Sequence, residues 1–161
     1  MSTRALLDRA RTRLAGAPRE ALGEVIVPRR VLGIGRSPRI VRRGEAWHLG
    51  VLLLTDDDVR ATGDIVRARQ EARRGFAAES QRQRAELAAA ARRGGIAEGE
   101  VVHIGWTLLD PDAVDAGAAS GPLALRGGVP SVRWSAAGGY MPLETYLAER
   151  VELLLNPPAG A

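Results

Sequence analysis

The sequence predicts an α+β fold, in which an antiparallel sheet is combined with an N-terminal helix, a long central helix and a C-terminal helix. The sheet is predicted from the apolar runs 47–55 and 100–109, because both have the length of strands and end in turn-forming aspartates. The helices are predicted from residues 3–15 and 142–154, which carry apolar residues at helical spacing, and from residues 77–93, which are rich in Ala, Glu, Gln and Arg.

Residues 47–55 are predicted to form the central strand of the sheet. Alternate residues of a strand point to opposite faces, and both sets are mainly apolar here, so both faces should be covered. The run ends at Thr55 and at the aspartates 56–58, which we interpret as a turn. These consecutive aspartates point in different directions and therefore do not predict a metal site. Residues 59–62 are expected to return as a hairpin partner.

Residues 100–109 are predicted to form a second continuous strand. Its core-facing residues are expected to be Val102, Ile104, Trp106 and Leu108. Residues 23–27 should form a shorter strand, and residues 122–135 have the pattern of a hairpin around two glycines. Residues 64–74 alternate weakly like a strand but have the composition of a helix, so both structures stay open there.

Composition predicts one cytoplasmic domain over residues 1–156, followed by a flexible tail at 157–161. The 161 residues are 45% hydrophobic, which is enough for a core. Cysteine is absent, which excludes disulfides and thiolate chemistry. The N-terminus lacks the apolar stretch of a signal peptide, and no segment could span a membrane. The sequence predicts no cofactor and no membrane association, and it leaves the oligomeric state open.

The charge of the chain is unevenly distributed and is carried on the basic side by arginine alone. Residues 1–93 hold 20 Arg and 11 Asp and Glu, a net charge of +9, whereas residues 94–161 hold 3 Arg and 8 Asp and Glu, a net charge of −5. The absence of lysine excludes a Schiff-base lysine and the lysine of a phosphate-binding P-loop. The asymmetry indicates either a surface that binds anions or a basic half that pairs with an acidic half.

The arginines around residue 80 are the predicted ligand-binding residues. They are Arg82, Arg84, Arg92 and Arg93, together with the hydroxyl of Ser80. Guanidinium groups match carboxylates and phosphates well, so the expected partner is an anionic small molecule or a protein. Helix capping and a solvated helix face explain the same residues without a ligand. Nucleic acid is a further alternative, but acidic residues interrupt the arginines and the aromatics lie mostly in apolar strands rather than on a stacking platform.

His48 and His103 are the only histidines of the chain. Each lies in one of the predicted strands, so the two rings could meet if those strands were neighbours, and one could then act as a general base. Glu100 and His103 would point to opposite sides of their strand, which argues against a metal site. The competing interpretation is a pair of hydrogen-bonded structural histidines.

Four segments resemble a group of small actinobacterial proteins that often carry the label glutaminase. They are RRVLGIGR at 29–36, GEAWHLGVLLLTD at 44–56, RRGGIAEGE at 92–100 and GVPSVRWS at 128–135. The resemblance implies a hydrolase acting on an amide such as glutamine. His48 or His103, which are selected from the strand pattern and not from the resemblance, would then be the base. The well-understood serine-dependent glutaminases are longer and place their nucleophile in Ser-x-x-Lys. This chain has no lysine, so no catalytic residue can be carried over from them.

Overall fold

The structure is a computed structural model that describes residues 1–29, 32, 33, 35, 37–70 and 78–160. Its contacts divide the chain into two compact units. Unit 1 comprises Met1–Arg19, Ala46–Thr62 and Trp106–Ala161, and unit 2 comprises Glu20–Glu45 and Gly63–Gly105. The expectation of one domain over residues 1–156 stays a prediction. Of the stretch 64–74, for which strand and helix were both left open, residues 71–74 lie outside the described residues.

The elements confirm the predicted α+β class, with N-terminal, central and C-terminal helices. The helices are α1 (Thr3–Leu14), α2 (Glu79–Arg93), α3 (Pro111–Asp115) and α4 (Leu143–Leu155). The strands are β1 (Glu20–Ile26), β2 (Arg39–Leu49), β3 (Leu52–Leu54), β4 (Val59–Ala61), β5 (Asp64–Arg67), β6 (Val101–Ile104), β7 (Thr107–Leu108), β8 (Leu123–Arg126), β9 (Val129–Arg133) and β10 (Tyr140–Pro142). Antiparallel pairing dominates, and β1 runs parallel to β6.

The predicted single strand over residues 47–55 is wrong, because the run folds into a hairpin. Strand β2 ends at Leu49, the chain turns at residues 50 and 51, and β3 returns with His48 opposite Leu53. The turn needs the left-handed backbone that glycine adopts readily, and Gly50 has φ +65°. Unbroken apolarity hid the turn from the sequence pattern, since both strands of the hairpin are buried.

Unit 1 is built around this hairpin. One of its sheets has the strand order β2 (from residue 46), β3, β4 and β7. A separate three-stranded sheet contains β8, β9 and β10, with β9 in the middle. Helix α1 packs on α3 and α4, and its N-cap Ser2 accepts a hydrogen bond from the amide of Ala5 at 3.1 Å. Buried leucines and valines from these elements surround Trp47 and Tyr146.

The aspartates at 56–58 form the predicted turn. The Thr55 hydroxyl accepts hydrogen bonds from the amides of Asp57 and Asp58, at 3.2 and 2.9 Å. A hydrogen bond from Arg60 holds the pKa of Asp58 below its usual value, and a hydrogen bond from Arg19 does the same for the pKa of Asp56. Two of the three carboxylates are therefore occupied by guanidinium groups.

Several arginines of α1 pair with carboxylates from the acidic second half of the chain. The pairs are Arg4–Asp112 (2.5 Å), Arg9–Glu144 (2.8 Å) and Arg13–Glu152 (3.5 Å). All six groups are exposed, so each pair contributes little to stability. Their arrangement accounts for part of the charge asymmetry, because basic α1 lies beside acidic residues of α3 and α4.

Unit 2 has the strand order β5, β6, β1 and the part of β2 that ends at residue 45. Helix α2 buries Ala89, Ala90 and Ala91 at its C-terminal end, next to the core of this sheet. The helix approaches β2 so closely that a Cβ on Gly94 would overlap the carbonyl group of Ile40.

The predicted continuous strand over residues 100–109 is also wrong, because it breaks into β6 and β7 at Gly105, which has φ +66°. Val102 and Ile104 are buried as predicted, but Trp106 is half-buried and Leu108 is 61% exposed. The break ends the side-chain alternation on which the predicted core face depended. Among the residues described, none of the helices has the length and apolar character needed to cross a bilayer.

Candidate anion-binding cleft

One wall of the cleft in unit 2 is the strand β5 with the residues that follow it. Val66 pairs with Val102 of β6, and Ala68 continues this ladder by donating its amide hydrogen to the carbonyl of Glu100 at 2.9 Å. Val66 and Ala68 are buried, whereas Arg67 and Arg69 are exposed. This alternation follows from the two-residue period of an extended chain and projects both arginines from the same face.

The other wall is helix α2 between Ser80 and Ala88. Ala85, Leu87 and Ala88 are half-buried and give this wall an apolar base, while Ser80 and Arg84 are exposed above it. The walls join where the amide of Arg69 donates to the carbonyl of Ala88 at 3.2 Å.

Between these walls lies an open cleft of about 900 Å³. Residues 64–67, Arg69 and Gln70 line the strand side, and polar residues of the helix, including Gln81 and Gln83, line the other. Its volume falls within the range of small-ligand and cofactor sites, and its combination of an apolar base with polar groups is typical of them.

The charges of the cleft favour an anion. Arg67, Arg69 and Arg84 line it, and Asp64 is the only carboxylate among its described lining residues. Arg67 donates to the carbonyl of Gly99 at 2.8 Å. Arg69 and Arg84 form no ion pair with any carboxylate in the part of the chain that the structure describes. Two guanidinium groups can therefore bind a ligand without first breaking an ion pair with any of the described residues.

The residues predicted to bind a ligand divide into two groups. Ser80 and Arg84 line the cleft, whereas the others lie outside its lining and have partners. Arg82 pairs with Glu79 at 3.9 Å, Arg92 pairs with Glu98 at 3.2 Å, and Arg93 donates two hydrogen bonds to the carbonyl of Pro38, at 3.0 and 3.1 Å.

Arg67, Arg69 and Gln70 also line the cleft, although they are not in the set of residues predicted to bind a ligand. The sequence signal that could have identified the two arginines is the alternation of apolar and basic residues over Val66, Arg67, Ala68 and Arg69. It predicts a strand with arginines on one face, but the helical composition of the surrounding residues left the assignment open.

His103 lies in β6 of unit 2 with its side chain fully buried. Its Nε2 is 3.2 Å from Oε1 of Glu20. A carboxylate oxygen only accepts, so Nε2–H donates to Glu20, and the carboxylate fixes the orientation of the ring. Glu20 is 32% exposed. A carboxylate and an imidazole in this arrangement can transfer or hold a proton.

His48 lies in unit 1, at the end of β2. Its Nε2 is 3.0 Å from the carbonyl of Gly50, in the hairpin turn, and must carry the proton in this contact. The ring is half-buried. Within its own unit, this histidine therefore helps to hold the turn together.

Comparison with known proteins found no matching protein-family model, no similar curated protein and no similar solved structure. The resemblance to proteins labelled glutaminase is neither supported nor contradicted by this result and stays a prediction.

Proposed function

We propose that this chain is a small cytoplasmic binding protein that recognises an anionic ligand or an acidic protein segment in the cleft between β5 and α2. The observation that supports the proposal is the placement of Arg69 and Arg84 in this cleft without a carboxylate partner among the described residues. A guanidinium group offers a planar set of donors that matches carboxylate and phosphate oxygens.

The surroundings of the two arginines favour a bound anion over a solvated surface. The start of α2 has no side-chain cap, because its N-cap is Ala78, so the amides of its first turn carry partial positive charge beside Ser80. The base formed by Leu87 and Ala88 is half-buried and lowers the local dielectric constant, which strengthens a charge-assisted hydrogen bond.

Nucleic acid is less well supported than a small anion or an acidic segment. Arg92 and Arg93, which would extend the basic surface along α2, are engaged by Glu98 and by the carbonyl of Pro38. In addition, no Trp, Tyr or Phe lines the cleft among the described residues, so stacking with bases has no platform there.

We expect the double variant Arg69→Ala/Arg84→Ala to bind tripolyphosphate at least about tenfold more weakly than the parent, because each arginine can supply a charge-assisted hydrogen bond. Isothermal titration at low and moderate salt measures this change. Arg29→Ala/Arg39→Ala is the matched control, since it removes two exposed arginines of unit 2 that lie outside the cleft.

Equal losses in both double variants would contradict the proposal, because binding would then follow net charge and not the cleft. Titrations of duplex DNA and single-stranded RNA belong to the same experiment. Submicromolar binding of either nucleic acid at moderate salt, lost in Arg69→Ala/Arg84→Ala, would replace the small-anion function with nucleic-acid binding.

Amide hydrolysis is the second candidate function, and the contact between His103 and Glu20 is the observation that favours it. Such a pair could present an oriented imidazole as a general base toward water. Full burial of the His103 side chain and the lack of a Ser-x-x-Lys motif weigh against this candidate.

We expect the purified protein to release ammonia from glutamine no faster than the variant His48→Ala/His103→Ala. The reason is that the sequence has neither the Ser-x-x-Lys motif nor a Gly-x-Ser-x-Gly motif to supply a nucleophile. A coupled ammonia assay measures the rates, with Arg29→Ala as a control for purification background. Robust turnover that disappears in the histidine variant would make hydrolysis the leading function.

A further inference from the structure

We propose that the ligand of the cleft is an acidic peptide segment in extended conformation, which adds to the edge of β5 as a further strand. This inference rests on the proposed anion-binding function and specifies its partner. Three features of the cleft support it: a strand edge that no second described strand pairs with, peptide groups directed into the cleft, and arginines spaced to match alternate carboxylates.

The first feature is the open edge of β5. In the strand order of unit 2, β5 is the terminal strand, and among the described residues it pairs with β6 alone. Residues 64–67 all line the cleft, although the side chains of a strand alternate between two faces. Four consecutive residues of a strand can border one cavity when the cavity runs along the strand's edge.

The second feature is the direction of the peptide groups. The amide of Ala68 donates toward the β6 side, to the carbonyl of Glu100, and the next amide, of Arg69, donates across the cleft to Ala88 of α2. Peptide groups of alternate residues in an antiparallel ladder point to the same side. The amides and carbonyls of Ile65 and Arg67 therefore point into the cleft, where an added strand could pair with them.

The third feature is charge and spacing. Arg67 and Arg69 project from one face of the chain, two residues apart, which is about 7 Å along an extended backbone. Carboxylates at alternate positions of an extended peptide have the same spacing, and Arg84 supplies a third cation from the opposite wall. A second copy of β5 is a poorer occupant, because it would bring its own arginines into the cleft.

The test uses the labelled hexapeptide Glu-Val-Glu-Val-Glu-Val and two isomers in which alternate amides are replaced by esters. Ester replacement removes amide donors while it keeps length, side chains and charge. In an added strand only alternate amides face β5, so one isomer should bind at least about tenfold more weakly and the other nearly as well as the parent peptide. Fluorescence anisotropy measures binding of the peptides. Tripolyphosphate is the comparison ligand, because it is an anion without a peptide backbone.

Amide exchange by NMR gives a second readout on the protein itself. The amides of Ile65 and Arg67 should be protected by the hexapeptide and not by tripolyphosphate. Equal binding of both ester isomers, without this protection, would overturn strand addition while the anion-binding function stands. Binding of tripolyphosphate but not of the hexapeptide would overturn the peptide as the partner.

The protein variants separate this inference from the proposed function. If Arg69→Ala/Arg84→Ala weakens neither the peptide nor tripolyphosphate relative to Arg29→Ala/Arg39→Ala, the proposed function itself fails. A dimer in sedimentation velocity that excludes the peptide would assign the edge of β5 to a second copy of the chain and overturn the inference.

Discussion

Replacing Gly94 with alanine should lower the free energy of unfolding by about 3 kcal/mol, at the upper end of the usual cost of overpacking. Gly94 follows α2, and its amide donates to the carbonyl of Ala90 at 3.0 Å. An added Cβ would overlap the carbonyl group of Ile40 and lie 3.1 Å from its amide nitrogen. These are backbone atoms of β2, which cannot rotate away as a side chain would.

The backbone conformation of Gly94 means that steric overlap, and not backbone strain, should cause the loss of stability. Its φ of −81° suits alanine, so the substitution adds no left-handed strain. Denaturant titration followed by circular dichroism measures the loss, and Gly139→Ala is the control because nothing lies within 4 Å of a Cβ at that position. A loss below half a kcal/mol in Gly94→Ala would mean that α2 can move away from β2 at little cost.

Gly94 also illustrates what the sequence could reveal about this fold. The pair Gly94-Gly95 predicts the end of a helix, and α2 does end at Arg93. The approach of Gly94 to Ile40 was not predictable, because it joins residues from distant parts of the sequence. Local patterns determine where α2 stops, whereas its packing against β2 depends on the rest of unit 2.

For the candidate cleft, too, the sequence predicted local features but not the contact between distant segments. Ser80 and Arg84 could be selected because they are polar residues on a predicted helix. Arg67 and Arg69 share one face only if their segment is extended, and its helical composition left that open. That this segment lies beside α2 depends on the pairing of Val66 with Val102. Strand register between distant segments is set by long-range packing, which the alternation within one segment does not specify.

The second stability prediction concerns the turn at Gly50 in unit 1, as the first concerned Gly94 in unit 2. The Tyr146 hydroxyl donates to the carbonyl of Leu49 and accepts from the amide of Val51, both at 2.8 Å, so it connects α4 to both ends of the turn. A Cβ on Gly50 would overlap this hydroxyl and approach Nε of Arg150 to 3.1 Å. Tyr146 is 1% exposed and has little room to yield.

We expect Gly50→Ala to destabilise unit 1 by about 3 kcal/mol, which combines about 1 kcal/mol of left-handed strain with the loss of two hydrogen bonds of about 1 kcal/mol each. Urea titration followed by tryptophan fluorescence measures this loss, since Trp47 is buried in the same core. Gly127→Ala is the matched control. Gly127 has φ +59° in the turn between β8 and β9, and nothing lies within 4 Å of a Cβ there, so that variant carries the strain alone.

A double-mutant cycle with Tyr146→Phe then tests whether the hydroxyl is the cause. Tyr146→Phe alone should cost about 1–3 kcal/mol, because it leaves the buried carbonyl of Leu49 and the amide of Val51 without their partner. In the double variant the hydroxyl is gone, so the alanine at position 50 meets less obstruction. The loss of stability in the double variant should therefore be smaller than the sum of the losses in the two single variants. Additive losses, or equal losses in Gly50→Ala and Gly127→Ala, would mean that strain alone sets the cost and that the contact with Tyr146 does not constrain the turn.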